Sequence, residues 1–217
     1  MIRVLAGASA LVVLVLLAPL VLLGVAAAAV PLTLAATVTG SSPVPNIGNV
    51  PGSLTAVTRA GVTVTLNSRQ LSRASTIIQV AARIPDVGLG GARVALIAAL
   101  TESSLRMLAN TTAYPQTSGY PNDGDGSDHD SLGLFQMRPS TGWGTVADLM
   151  DANYQAAAFF GGPSGPNHGS PRGLLDIPTW QTLAPGEAAQ AVEVSAFPDR
   201  YANYEPVADA ILRALTT

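Results

Sequence analysis

One carboxyl group in this chain stands where ionisation is disfavoured. Glu102 closes the run Val94-Ala-Leu-Ile-Ala-Ala-Leu-Thr101, which carries no charge at all. Apolar surroundings disfavour the charged form of a carboxyl group. The last turn of a helix adds the negative end of the helix dipole, worth about 0.3–1 kcal/mol against a carboxylate. Both effects favour a glutamate that keeps its proton near neutral pH and can deliver it to a poorly basic bridging oxygen. A solvated glutamate at a fraying helix end is the plain alternative, and position alone does not separate the two. The second carboxyl that such chemistry sometimes needs has two candidates, Asp128 and Asp130. They lie in the segment Asn122-Asp-Gly-Asp-Gly-Ser-Asp-His-Asp130, which holds four of the ten aspartates.

Other chemistries find little support. Oxygen ligands at alternate positions of a Gly-rich loop suit calcium, but the EF-hand pattern fails. Counted from Asp123, its sixth position is Asp128 rather than Gly and its twelfth is Leu134 rather than Glu. A solvated loop is the other reading of this segment, and no metal and no cofactor is assigned. There is no cysteine, which removes thiolate catalysis and Cys-ligated zinc. His129 and His168 are the only histidines and share no helical spacing, so they make no zinc pair. No Ser lies in a Gly-x-Ser-x-Gly elbow. The eleven basic residues are all Arg and the net charge is −3. That balance gives no electrostatic case for nucleic acid, and none for attraction to an acidic wall polymer.

Downstream of Glu102-Ser103 comes Gly133-Leu-Phe-Gln136, followed by Pro139, Ser140 and Thr141. In that order the two pieces resemble the catalytic Glu-Ser pair and the Gly-Leu-Met-Gln-x-x-Pro-x-Thr signature of soluble lytic transglycosylases and goose-type lysozymes, with Phe135 in the usual Met place. The resemblance covers roughly residues 67–206 and extends to lysozyme-like domains of actinobacterial cell-wall and conjugation proteins. It implies cleavage of peptidoglycan at the β-1,4 bond between N-acetylmuramic acid and N-acetylglucosamine, with Glu102 as general acid and then base. It gives Gly133 and Gln136 roles in the substrate cleft and Ser103 a supporting one. A water-activating carboxylate would stand about 6.5–9.5 Å from the acid. Asp130, adjoining the motif, is slightly preferred over Asp128 for it, whereas a lytic transglycosylase uses the sugar's own C6 hydroxyl and needs neither. Three departures stand out. The loop between Glu102 and Gln136 is longer than is usual in that family. The later aspartate of the goose-type enzymes is replaced near Arg138. The family's Ala-Tyr-Asn-Ala-Gly motif has only a loose echo in Ser195-Ala-Phe-Pro198, and if Phe197 takes the Tyr place, the hydroxyl that would bond to the glutamate is missing. A non-catalytic glycan-binding module and a structural component of an envelope secretion or conjugation machine are the alternative readings. Trp143 and Trp180 are read as packing before sugar stacking, and Tyr114 and Tyr120 as candidates for the cleft rim.

The elements that must position these residues are helical. Leu71, Ala74, Ile77, Ile78, Ala81 and Ala82 recur at helical spacing after Ser68, and Pro85 ends that helix. A second, from about Ala92 to Leu105, is apolar all round and therefore buried. Further helices are expected over 146–160, with an interruption near Asp151–Asn153, over 187–197 and over 201–215. The fold class is mainly α, a lysozyme-like helical domain over residues 67–217. Residues 37–66, rich in Pro, Gly, Ser and Thr, read as a linker, with a short strand at Val62–Leu66. Residues 1–36 read as a transmembrane or signal-anchor segment. Val4 to Val30 is apolar for longer than the about 20 residues that span a bilayer, although Ala26–Ala29 also offers signal-cleavage sites. Arg3 holds the short N-terminal flank inside and puts the domain outside the membrane, anchored or, after cleavage, secreted.

Overall fold

A computed structural model describes residues 48–216. The anchor or signal segment over 1–36 and the first part of the linker lie outside the described residues. Among the described residues no helix is long and apolar enough to cross a membrane.

The segment read as a linker becomes regular structure sooner than its composition suggests. Two strands, β1 (Ser53–Val57) and β2 (Thr63–Asn67), pair antiparallel with Ser53 opposite Asn67 and Val57 opposite Thr63. Leu54, Ala56, Val64 and Leu66 face the helices, while Thr55 and Thr65 face solvent and share a hydroxyl hydrogen bond of 3.0 Å. This is the period-2 alternation of a half-buried hairpin, and it belongs to the same compact unit as the helices. Backbone bonds tie it to the C-terminal region, from Gly48 N to Leu215 O and from Arg59 N to Asn203 O. The globular unit thus starts well before Asn67.

Asn67 ends β2 and also caps α1 (Ser68–Arg83), where its side chain accepts from Gln70 N and the Gln70 side chain returns a bond to Asn67 N. This capping box satisfies two donors that a helix start leaves open, and Ser68 is the first helical residue. The second helix, α2 (Gly88–Ser103), is buried on almost every side, with Ala95 to Leu100 wholly inside. The other helices surround it: α3 (Val146–Leu149), α4 (Ala152–Phe160), α5 (Pro185–Glu193), α6 (Asp199–Ala202) and α7 (Glu205–Leu215). Of these, α4, α5, α6 and α7 pack directly on α2, as does α1. The chain is mainly helical, with seven α-helices among the described residues.

The break between α3 and α4 falls at Asp151, whose side chain accepts from Asn153 N and starts α4. Arg93, the one charged residue early in α2, grips Asp209 of α7 with two bonds of 2.6 and 2.9 Å. Glu205 joins three elements: it accepts from Gly186 N of α5, pairs with Arg59 beyond β1, and lies 3.8 Å from Arg93. At Gly186, α5 approaches α6 so closely that a Cβ would stand 2.7 Å from Ala202 N. That approach sets the place of Tyr201.

Candidate active site around Glu102

Glu102 lies in the last turn of α2, half-buried, next to a strained chain reversal. Ser104 and Leu105 both adopt left-handed backbone conformations, with φ of 57° and 59°. For residues with a Cβ this costs on the order of 1–3 kcal/mol each. The fully buried Leu105 side chain and the Leu105 N–H, which bonds to Ala99 O at 3.0 Å, hold the reversal in place.

Ser103 supplies the link between the glutamate and the second motif. Its hydroxyl reaches Leu134 O at 2.7 Å and Ala99 O at 3.2 Å, and its Oγ accepts from Arg106 N. The Gly-Leu-Phe-Gln segment is not a turn entering a helix. Leu132 and Met137 exchange backbone bonds of 2.9 and 3.1 Å, so residues 133–136 form a four-residue loop closed at its base. Gly133 and Gln136 turn its corners with φ of 73° and 50°. Gly133 is required from the inside, because a Cβ there would meet the Gln155 amide at 1.8 Å. Gln155, wholly buried in α4, donates to Leu132 O and Leu149 O and accepts from Phe135 N. Phe135 stacks on Phe159 with ring centroids 4.7 Å apart. The Gln136 amide donates to Gly133 O at 3.0 Å and remains partly exposed. The loop is thus clamped from below by Gln155 and tied to Glu102 through Ser103.

The Glu102 carboxyl does receive a tyrosine hydroxyl, though not at position 197. Phe197 is 63% exposed and lies against the Arg200 guanidinium at 5.9 Å. Four residues later Tyr201, fully buried in α6, donates its hydroxyl to Glu102 Oε1. The sequence echo at 195–198 put the aromatic one helical turn too early. Burial pushes the Glu102 carboxyl up from its ordinary value; the Tyr201 bond and the Arg200 charge oppose this, and the Asp128 charge adds to it. The net direction is upward, toward a carboxyl that keeps its proton. No family model matches the chain, and no curated protein matches it significantly.

The two aspartates differ sharply. Asp130 accepts from Arg138 Nε, from Ser140 N at 3.1 Å and from the Tyr114 hydroxyl at 3.2 Å. Burial would raise its pKa, but the bonds from Ser140 and Arg138 outweigh burial and hold it well below the carboxylate range. A carboxylate so held is a poor base, which weighs against Asp130 as a water-activating group despite its place beside the motif. Asp128 is exposed, bonds only to His129 Nδ1 at 2.8 Å, and is the loop aspartate whose charge bears on Glu102. The remaining pair serve their own loop. Asp123 accepts from Met107 N and meets Arg69 and Arg73, and Asp125 accepts from Thr111 N and its hydroxyl. Among the described residues no three His, Asp or Glu side chains converge as a metal ion requires. Trp180 is buried and Trp143 half-buried, its carbonyl accepting from the Tyr154 hydroxyl. A cavity of about 550 Å³ lined by Val80, Arg83, Ile84, Asp86, Tyr154 and Leu175 does not include Glu102.

One further group was not singled out from the sequence. Glu193, the last residue of α5, has its Oε1 enclosed without a hydrogen-bond partner. Burial and the charge of Glu102 push its carboxyl well above the ordinary value. Its own charge in turn bears on Tyr201, whose hydroxyl is pushed up chiefly by burial and by the bond to Glu102.

Proposed function

We propose that this domain cleaves peptidoglycan glycan strands at the β-1,4 bond between N-acetylmuramic acid and N-acetylglucosamine, as a lytic transglycosylase or muramidase with a lysozyme-like fold. One observation carries the reading: Glu102 is half-buried and bonded by the Tyr201 hydroxyl, while Ser103 ties it to the Gly133–Gln136 loop. That arrangement supports the resemblance of the two motifs to the transglycosylase pair, since it joins them in space through a specific bond.

In this reading Glu102 gives its proton to the bridging oxygen as the C1–O bond breaks. Its carboxylate then takes a proton from the attacking hydroxyl and returns to its starting state. The attacker is the C6 hydroxyl of the same sugar in a transglycosylase, or water in a muramidase. The substrate's acetamido group stabilises the positive charge developing at C1. The Tyr201 hydroxyl holds the carboxyl in one orientation, and Gln136 presents its amide to the glycan. An N-terminal anchor would keep the domain outside the membrane for restrained local wall remodelling, beside a secretion or conjugation apparatus.

The test is to incubate the protein with purified peptidoglycan and identify released muropeptides by mass spectrometry, with Glu102→Gln in parallel. Release that disappears in the variant is the expected result. A 1,6-anhydro end on the products identifies a transglycosylase, and a normal reducing end identifies a hydrolase. Glycan binding without release by the wild type would instead identify a binding module.

A further inference from the structure

Three of the eleven arginines gather where the start of α1 meets the chain that follows α2. Two hollows lie there, of about 310 and 430 Å³, and Arg69 and Asp123 line both. Gln70 and Arg106 complete the first, and Ser72, Arg73 and Asn122 help to complete the second. Asp123 is the one acidic residue in either lining, so three arginines face a single aspartate. The chain as a whole has a net charge of −3. An anion would therefore be drawn here by local charge and not by the overall field.

The aspartate is already committed. Its side chain is only 6% exposed and accepts from Met107 N at 2.9 Å and from Arg69 Nη1 at 3.3 Å, with Arg73 Nε 3.5 Å away. The arginines are not. A guanidinium carries five N–H donors in a planar fork. Arg106 is exposed, spends Nε on Ser103 O at 3.1 Å, and pairs with no carboxylate among the described residues. Arg73 Nε is enclosed without a hydrogen-bond partner. Most of the donors of these three side chains thus remain free. The walls that carry them are fixed, because Gln70 donates to Ser104 O at 2.7 Å and so ties α1 to the reversal after α2.

Guanidinium forks match oxyanions through paired, charge-assisted bonds. Two uncompensated positive charges suit a phosphate monoester, which carries about −1.5 to −2 at neutral pH, better than one carboxylate. The second hollow, sharing Arg69, gives room for another phosphate of the same ligand.

We propose that Arg69, Arg73 and Arg106 form a binding site for phosphate groups, carried by a small phosphate ester or by a phosphate-linked polymer, with Asp123 positioning the arginines. Glu102 lines neither hollow, and the inference stands without the proposed function.

The experiment is a titration of the ¹⁵N-labelled full chain, kept in a non-ionic detergent, followed through its backbone amide resonances. Inorganic phosphate should shift the amides of residues 68–73, 106 and 123 saturably, and acetate at equal ionic strength should bind them more weakly. Arg69→Gln combined with Arg106→Gln should weaken phosphate binding at least about tenfold, since hydrogen bonds to charged groups are lost. Circular dichroism checks the fold of that variant. Arg69→Gln alone, at a side chain 69% exposed, gives a smaller loss in the same direction if the double variant does not fold. A glycerol phosphate oligomer that binds more tightly than inorganic phosphate would identify a polymer reaching both hollows; equal affinity would identify a ligand with one phosphate. No saturable shift at these amides, acetate binding as tightly as phosphate, or binding unchanged in the variants would overturn the proposal.

Discussion

The domain treats its acidic residues in two opposite ways. In the loop over residues 122–130, three of the four aspartates are given donors. Asp123 has Met107 N and two arginines, Asp125 has Thr111 twice, and Asp130 has Arg138, Ser140 and Tyr114. Late in α2, Glu102 receives one tyrosine hydroxyl, at the end of α5 the Glu193 Oε1 has no partner, and among the described residues no cation is bonded to either carboxyl. Donors stabilise charge on the loop aspartates, while burial with few donors favours the protonated form of the glutamates. Acidity here is set by partners rather than by residue type.

The sharpest way to break this contrast is at Glu102. Glu102→Gln should lower glycan cleavage about 1,000-fold, in the range found for a general acid. It should also stabilise the fold, but only on one side of the titration. A carboxyl whose pKa is raised on folding contributes stability that is present below its unfolded value of 4.5 and lost as pH rises through the folded value. The variant should therefore melt higher than wild type at pH 8 and no higher at pH 4, as read by calorimetry. The opposite behaviour belongs to the loop. Asp130→Asn should cost about 2 kcal/mol at pH 7, the worth of hydrogen bonds to a charged group. Because folding depresses the Asp130 pKa, its stabilisation is present above its unfolded value of 3.8 and lost as pH falls through the folded value. The difference between variant and wild type in denaturant melts should accordingly shrink in strong acid.

Smaller effects sharpen the same contrast. Tyr201→Phe removes the one donor on the glutamate side and should slow cleavage about tenfold, roughly 1.4 kcal/mol, with the fold intact by circular dichroism. Asp128→Asn touches an exposed residue bonded only to its neighbour and should change stability by less than about 0.5 kcal/mol.

Much of this was legible in the sequence, because α1 and α2 carry unambiguous patterns and the Glu102 carboxyl follows an uncharged run. The break before α4 was visible in Asp151, whose cap chemistry is local. The hairpin was missed except for most of β2, since it follows a stretch punctuated by Pro43, Pro45 and Pro51 and its alternation spans only five residues per strand. Tyr201 was missed because no periodicity fixes the register through the short turn after Val194, so the nearest aromatic, Phe197, took its place. Glu193 carries no signal in the sequence that sets it apart from other helical charges. Only the packing of α5 on α2 reveals that its carboxyl is enclosed. Gln155 was hidden for the same reason: a glutamine in an Ala-rich helix does not announce that it bonds Leu132 O and Phe135 N of a distant loop as well as Leu149 O of α3.

The central claim is that burial raises the Glu102 carboxyl against the opposing Tyr201 bond and Arg200 charge, which suits it to act as an acid. The most direct measurement is the pH dependence of kcat/KM for release from peptidoglycan between pH 4 and 9. The account predicts an alkaline limb with its midpoint clearly above the ordinary glutamate value of 4.5, reporting ionisation of the acid. A limb at or below 4.5, or a rate that stays flat across the range, would contradict it.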